Sequence, residues 1–223
     1  MNIYCISDIH GCFEEFIELL QLIDFDCNRD KIYVLGDVID RGDHSIECLK
    51  YIKNTKGIFM LLGNHEIMML NFFDSPFPEM DWHIWSENGG DVTARQLNDL
   101  SSLEQFQLLE YIRKRPLYKT VNVDGKKYFL SHAGLDSDTS FKKQETDDLT
   151  WGRSSFYDRA ARKGYICIFG HTPTRAIRGN NDYRVWVDKI YKDKICIDSG
   201  CIYGGALAAL RLNDLRTFYV KPY

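Results

Sequence analysis

The 223-residue sequence is short of several things, and each shortage excludes something. It has no long hydrophobic run: apolar stretches such as residues 58–62 and 165–169 stop after five residues, whereas a bilayer span needs about 20. No transmembrane helix is expected. The first residues, Met1, Asn2, Ile3, Tyr4 and Cys5, include no basic segment and no extended apolar stretch, so no secretory leader and a cytoplasmic location are expected. The pattern Cys-x-x-Cys is absent, and the seven cysteines are scattered. That argues against a disulfide framework or a zinc ribbon and for reduced thiols, with Cys5, Cys167 and Cys196 packed inside apolar runs. No solenoid-length repeat and no low-complexity tract occurs.

What is present is the composition of a soluble globular domain, 44% hydrophobic with a net charge of −4. A length of 223 residues suits one domain spanning 1–223 with a sizeable core. The small net charge hides an asymmetry. Residues 1–112 carry 7 basic and 20 acidic side chains, and residues 113–223 carry 21 and 12. Either the faces are solvated and attract one another, or some carboxylates bind cations and some bases meet an anionic substrate. The overall negative charge argues against a nucleic-acid partner, and Arg113-Lys114-Arg115 reads as a solvated cluster.

Periodicity organises the first third. A short apolar run at residues 3–7 precedes an amphipathic segment at 12–23, then a strand at 31–35, a helix at 45–53 and a strand at 57–62. This is the β-α-β-α-β grammar of an α/β layer. Residues 66–112 read as helical, with breaks at 74–78 and at Gly89-Gly90. After Pro116 the pattern changes. Two apolar runs at 118–123 and 127–131 flank Asp124-Gly125, a hairpin signal, and strands are expected at 166–169, 184–187, 194–197, 206–212 and 217–220. The expected fold is mixed α/β, a central sandwich of two mixed sheets with helices outside.

The chemistry gathers where these strands end. The first runs into Asp8-Ile9-His10-Gly11, the second into Gly36-Asp37, the third into Gly63-Asn64-His65-Glu66, and two later ones into His132-Ala133-Gly134 and Gly170-His171-Thr172. Ligands of α/β sheets bind in the crevice at the carboxyl ends of strands. One such ending is explained by a turn or helix cap. Five endings that include four of the six histidines are not. Asp8, His10, Asp37, Asn64, His132 and His171 make a mixed oxygen and nitrogen donor set suited to Mn²⁺, Fe or Zn²⁺ and too rich in nitrogen for Ca²⁺. Six ligands exceed what one catalytic metal needs and fit two metals sharing a carboxylate.

In order, Asp8-Ile9-His10-Gly11, Gly36-Asp37-Val38-Ile39-Asp40-Arg41-Gly42, Gly63-Asn64-His65-Glu66, His132-Ala133-Gly134 and Gly170-His171-Thr172 resemble the signature blocks of the phosphoprotein phosphatase family of metallophosphoesterases, in its compact bacterial and phage branch. The resemblance implies a calcineurin-like metallophosphoesterase fold and two divalent ions, Mn²⁺ foremost. It makes Asp37 the bridge, Asp8 and His10 the partners of one metal, and Asn64, His132 and His171 those of the other. It implies direct attack by a metal-bridging hydroxide, with His65 as general acid, Asp40 orienting it, and Arg41 and Arg153 clamping the phosphate. Guanidinium forks match phosphate oxygens, and an alkoxide leaving group needs a proton. Asp198-Ser199-Gly200-Cys201 with Gly204-Gly205 resembles the last block, without a ligand role. Asn88-Gly89-Gly90-Asp91, after Trp82 and Trp85, either lines the substrate groove or ends a helix. Cys12 and Cys201 flank metal motifs, in packing or redox-sensitive positions.

Three functions are compatible with these residues. The first is a serine/threonine protein phosphatase, acting also on phosphotyrosine and aryl phosphates, as a monomer whose partner is a phosphorylated protein or peptide. The second is a hydrolase of dinucleoside polyphosphates; relatives of that kind share the metal blocks but depart from aspartate at the position of Asp40. The third is a silent phosphoprotein-binding scaffold, disfavoured because no ligand, acid or arginine is missing.

Overall fold

A computed structural model describes residues 1–152 and 154–221. The first third follows the expected alternation. Strand β1 (Ile3–Ile6) leads to helix α1 (Phe13–Leu22), β2 (Lys31–Val34) to α2 (Ser45–Asn54), and β3 (Ile58–Met60) to α3 (Asn64–Asp74). The three strands run parallel, with β1 between β2 and a later antiparallel strand. The central strand β1 is covered on both faces, so it is buried along its whole length rather than on alternate residues.

Helices α4 (Pro78–Glu87), α5 (Gly90–Asn98) and α6 (Ser102–Arg113) follow. The break between α5 and α6 escaped the sequence reading, although its signal was present. The Ser101 hydroxyl accepts from the Glu104 amide while the Glu104 carboxylate accepts from the Ser101 amide, a capping box that starts a new helix.

The hairpin β4 (Tyr118–Val123) and β5 (Lys126–Ser131) turns at Asp124-Gly125 as expected, and opens the second sheet. After α7 (Thr146–Thr150) come β6 (Ile166–Phe169), α8 (Thr174–Arg178), β7 (Trp186–Val187), β8 (Lys194–Cys196), β9 (Leu207–Arg211) and β10 (Thr217–Val220). The order is β10-β9-β1-β2-β3 in one sheet and β4-β5-β6-β8-β7 in the other. Both sheets are mixed, as expected. The strand anticipated at 184–187 is shorter, because only Trp186 and Val187 pair with β8.

Side-chain alternation builds three cores from two sheets. Ile3 and Cys5 of β1 meet Tyr128 and Leu130 of β5 and Ile168 of β6 between the sheets. Tyr4 and Ile6 point the other way, under α1 and α2. Phe129, Cys167 and Phe169 form the outer face of the second sheet, against Leu149 and Phe156. Each large apolar side chain so buried contributes roughly 1.5–3 kcal/mol. The seven cysteines are free, and all but Cys27 are buried. With both sheets anchored, the carboxyl ends of β1, β2, β3, β5 and β6 bring the five motif loops together.

Candidate metal centre

The loops at these strand ends depart from ordinary backbone. Asp8, His10, Asp37, Asp40, Arg41 and His171 all have positive φ, between 47° and 73°, and they are six of the ten such non-glycine residues described. Each costs of order 1–3 kcal/mol and persists only where surrounding contacts over-determine it. Those contacts are visible. The Asp8 amide donates to the Gly36 carbonyl at 3.2 Å and the His10 amide to the Asp37 carbonyl at 2.9 Å, so the first two loops are laced together. Gly63 is required at the third, because a Cβ there would lie 2.1 Å from Asp37 Oδ1.

Asp37 sits at the middle. Its Oδ2 lies 3.3 Å from His132 Nε2, 3.6 Å from His10 Nε2 and 3.9 Å from His65 Nε2. The donor atoms of His10, Asp37 and His65 are all within 4.8 Å of one another, and so are those of Asp37, His132 and His171. Asp37 belongs to both groups, as a bridging carboxylate must. Asn64 Oδ1 lies 2.9 Å from His132 Nε2 and 3.0 Å from His171 Nδ1 and joins the second group. Asp8 lies beside these groups: its carboxylate accepts from the His171 amide at 3.1 and 3.2 Å and from Ser7 Oγ, while His65 stands next to His10 and Asp37.

Two backbone carbonyls prepare the imidazoles. His10 Nδ1 faces the Ile39 carbonyl at 2.8 Å and His132 Nδ1 the Leu35 carbonyl at 3.0 Å. A carbonyl only accepts, so Nδ1 carries a proton in both rings and Nε2 is the atom turned to the centre. Burial, then the charge of neighbouring His65, pushes His10 down to about 3. Burial, then His132, pushes His171 down to about 4. Both stay neutral at pH 7, the form that ligates a metal. Burial would also lower His132, but Asp37 outweighs it and raises that ring to about 9. For Asp37 burial acts upward, and His132 and His65 overcome it and hold the carboxylate well below its usual range. Asp198, buried nearby, is pushed well above the usual range by burial and then by repulsion from Asp8. Three carboxylates in one dry cleft are a charge arrangement that a cation relieves, and the donor set fits divalent metals.

His65 and Asp40 form a separate unit. Asp40 Oδ2 lies 2.7 Å from His65 Nδ1 and also accepts from Trp85 Nε1 at 2.8 Å; its Oδ1 accepts from Thr93 Oγ1 at 2.6 Å. Its amide donates to Ser45 Oγ and Thr93 Oγ1. His65 Nε2 is buried and has no hydrogen-bond partner among the described groups. It faces Asp37, 3.9 Å from Oδ2. Burial would lower this ring, but Asp37 and then Asp40 raise its pKa above the ordinary histidine value. Arg41 reaches the centre too, with Nη1 2.8 Å from His10 Nε2. Arg153 lies outside the described residues.

The structure also assigns roles that the sequence did not reveal. Glu66, wholly buried, accepts from the amides of Asp37, Val38 and Gly63, each at 2.9 Å, and so ties the second loop to the third. Its place three residues after Gly63, at the third position of α3, is the available signal. Gly89 starts α5 and its carbonyl accepts from the Arg41 amide at 3.1 Å, so the Asn88–Asp91 segment both bounds a helix and props a site residue.

Comparison with known proteins points the same way. The sequence profile of the calcineurin-like phosphoesterases matches residues 1–188. The symmetrical bis(5'-nucleosyl)-tetraphosphatase of Buchnera aphidicola is 32% identical over 136 residues, covering 60% of this chain and 44% of that protein. Serine/threonine-protein phosphatase 2 of Salmonella typhimurium is 30% identical over 178 residues, covering 76% and 79%. The chain thus spans less than half the length of the Buchnera protein. The crystal structure of a candidate diadenosine tetraphosphatase superposes over 100% of this chain and 94% of its own with a TM-score of 0.72 at 19% identity. A Saccharomyces cerevisiae serine/threonine phosphatase gives 0.62 at 15%, covering 99% and 79%; both likenesses show the fold.

Proposed function

The chain belongs to the calcineurin-like phosphoesterase family, and from that premise we propose that it hydrolyses phosphoesters with two divalent cations, Mn²⁺ foremost, held by Asp8, His10, Asp37, Asn64, His132 and His171. The observation that carries this is the shared carboxylate of Asp37, within 4.8 Å of imidazole donors on both sides. When bound, such cations neutralise phosphate charge and lower the pKa of water to supply a nucleophile. The chain's own residues do the rest. Arg41 brings a guanidinium to the cleft, where a phosphate oxygen can replace its contact with His10. His65 presents Nε2 to the leaving oxygen, while Asp40 holds Nδ1 and keeps the ring aimed. Arg153 is the proposed second clamp.

For the substrate, the relatives give more weight to dinucleoside tetraphosphates than to the phosphoserine and phosphothreonine that the motifs favoured, and we take the tetraphosphates as the leading class. One observation favours the phosphomonoester as a second reading. The Asp40–His65 pair is built to protonate a leaving group. An alkoxide needs that proton, whereas a nucleotide leaves as a stable anion. The match to the Salmonella phosphatase, which runs over most of both chains, supports the same reading.

The test is phosphate or nucleotide release from diadenosine tetraphosphate and from a phosphoserine peptide, side by side, with and without Mn²⁺. Faster turnover of the tetraphosphate supports the leading class, and faster turnover of the peptide replaces it with the second. Metal-dependent hydrolysis of neither would overturn the enzymatic proposal. A monomer in the cytoplasm, without nucleic-acid or membrane partners, completes it. Among the described residues no helix is long and apolar enough to cross a membrane.

A further inference from the structure

Arg41, at the metal centre, and Arg175, four residues after His171, are held by aromatic rings instead of carboxylates. Arg41 stands 5.5 Å from the centroid of the Tyr203 ring. Arg175 approaches that same ring at 5.8 Å and the Tyr183 ring at 5.3 Å. Arg29, Arg113, Arg184 and Arg211 each pair with an aspartate. Among the described residues no carboxylate pairs with Arg41 or Arg175. A guanidinium has five N–H donors, and that of Arg175 makes one hydrogen bond among the described groups, to the Tyr183 hydroxyl at 2.7 Å. The same hydroxyl donates to the Tyr203 carbonyl at 3.4 Å. One tyrosine therefore orients the arginine and ties it to the neighbouring ring.

The seat of Tyr183 explains the glycines of the final block. A Cβ on Gly205 would lie 2.4 Å from the Tyr183 ring, and one on Gly200 would lie 2.9 Å from it. Glycine at 205 also avoids the Ser199 carbonyl oxygen, 2.1 Å from such a Cβ, and the two glycines together leave room for the ring. These glycines make room for the residue that aims Arg175.

We propose that Arg175, oriented by Tyr183 and Tyr203, is a second anion subsite that binds a phosphate group beyond the one being attacked. The ligand class is condensed phosphate. Arg41 and Arg175 both lie against the Tyr203 ring, so one condensed-phosphate chain can offer a separate phosphate group to each guanidinium. The guanidinia are kept cationic and unneutralised because rings, unlike carboxylates, hold a cation without competing for it as an ion pair. This deepens the leading substrate reading and rests on it for biological meaning, but the subsite is testable without it.

The experiment measures competitive inhibition of p-nitrophenyl phosphate hydrolysis by inorganic tripolyphosphate and by orthophosphate, on the metal-loaded protein. In Arg175→Ala the tripolyphosphate inhibition constant is expected to rise about tenfold relative to that of orthophosphate, the scale of one lost charged hydrogen bond. Arg175→Lys recovers part of the difference, and Tyr183→Phe gives a rise of about threefold. Equal changes in both constants, or no change in either, would overturn the subsite. Calorimetric titration of tripolyphosphate into the metal-free variants gives a second readout that does not depend on turnover; equal affinity in wild type and Arg175→Ala also overturns it. If diadenosine tetraphosphate proves not to be hydrolysed while the tripolyphosphate difference holds, the substrate reading fails and the subsite stands.

Discussion

The His65–Asp40 pair and the cluster around Arg175 are built on opposite principles. In the first, His65 and Asp40 are wholly buried, and Asp40 takes contacts from Ser45 of α2, Trp85 of α4 and Thr93 of α5. In the second, Arg175, Tyr183 and Tyr203 are half-buried or exposed, and rings and one hydroxyl hold them. A group that must transfer a proton at one atom gains from having a single position. A group that must accept parts of a larger molecule gains from an open face and loose restraint. If the proposed roles hold, bond-breaking and substrate choice rest on separate packing environments and can be perturbed separately.

The largest expected effect breaks the buried side directly. His65→Asn should keep the metal content measured by elemental analysis and lose roughly 10²–10⁴ of turnover on an alkyl phosphate. Full activity would remove His65 from the acid role. Next, Trp85→Phe keeps most of the ring and deletes the N–H that Asp40 accepts from. A lost hydrogen bond to a charged group predicts about 1.5–3 kcal/mol by denaturant unfolding. A smaller loss would mean that Thr93 and His65 suffice to hold Asp40. Glu66→Gln tests the neighbouring brace, since an amide oxygen cannot serve three amides as a carboxylate does. A cost of about 1–3 kcal/mol and weaker metal retention in dialysis are expected. The contrasting change on the open side is Arg175→Ala, whose effect should lie in the ratio of the two inhibition constants and not in unfolding. Smallest is Ser101→Ala, far from both sides, where loss of the cap should cost about 1 kcal/mol with turnover unchanged. It sets the scale for a purely structural loss; any fall in turnover there would weaken the claim that the two environments are separate.

Legibility in the sequence followed the same divide, for a physical reason. The parallel strands and the gathering of the six candidate ligands could be read because each of these residues follows an apolar run, a relation between neighbours in the chain. Asp40 could be named, but not the residues that hold it, because Ser45, Trp85 and Thr93 are brought there by three different helices. Glu66 was in view inside a motif, yet its work is done on amides 28 and 29 residues away. Arg175, Tyr183 and Tyr203 were invisible. They occupy separate segments that meet only once β8 and β9 have brought the final glycines beneath Tyr183. The β7 overestimate has the opposite cause: Arg184 and Val185 have strand-like neighbours in sequence, but Asp182 accepts from the Arg184 amide, and Tyr219 Oη, not β8, accepts from the Val185 amide.

The left-handed backbone at Asp8, His10, Asp37, Asp40, Arg41 and His171 has a consequence for anyone who wishes to transplant this centre. Copying six side chains onto another scaffold would not reproduce it, because an ordinary loop would point them elsewhere or reject the torsion angles. The unit that can be moved is the set of laced turns with Glu66 beneath them, and its side chains come second. The same constraint grades substitutions within the chain. Asparagine tolerates positive φ better than alanine does, so Asp8→Asn and Asp37→Asn report on charge, whereas Asp8→Ala and Asp37→Ala report on charge and backbone together.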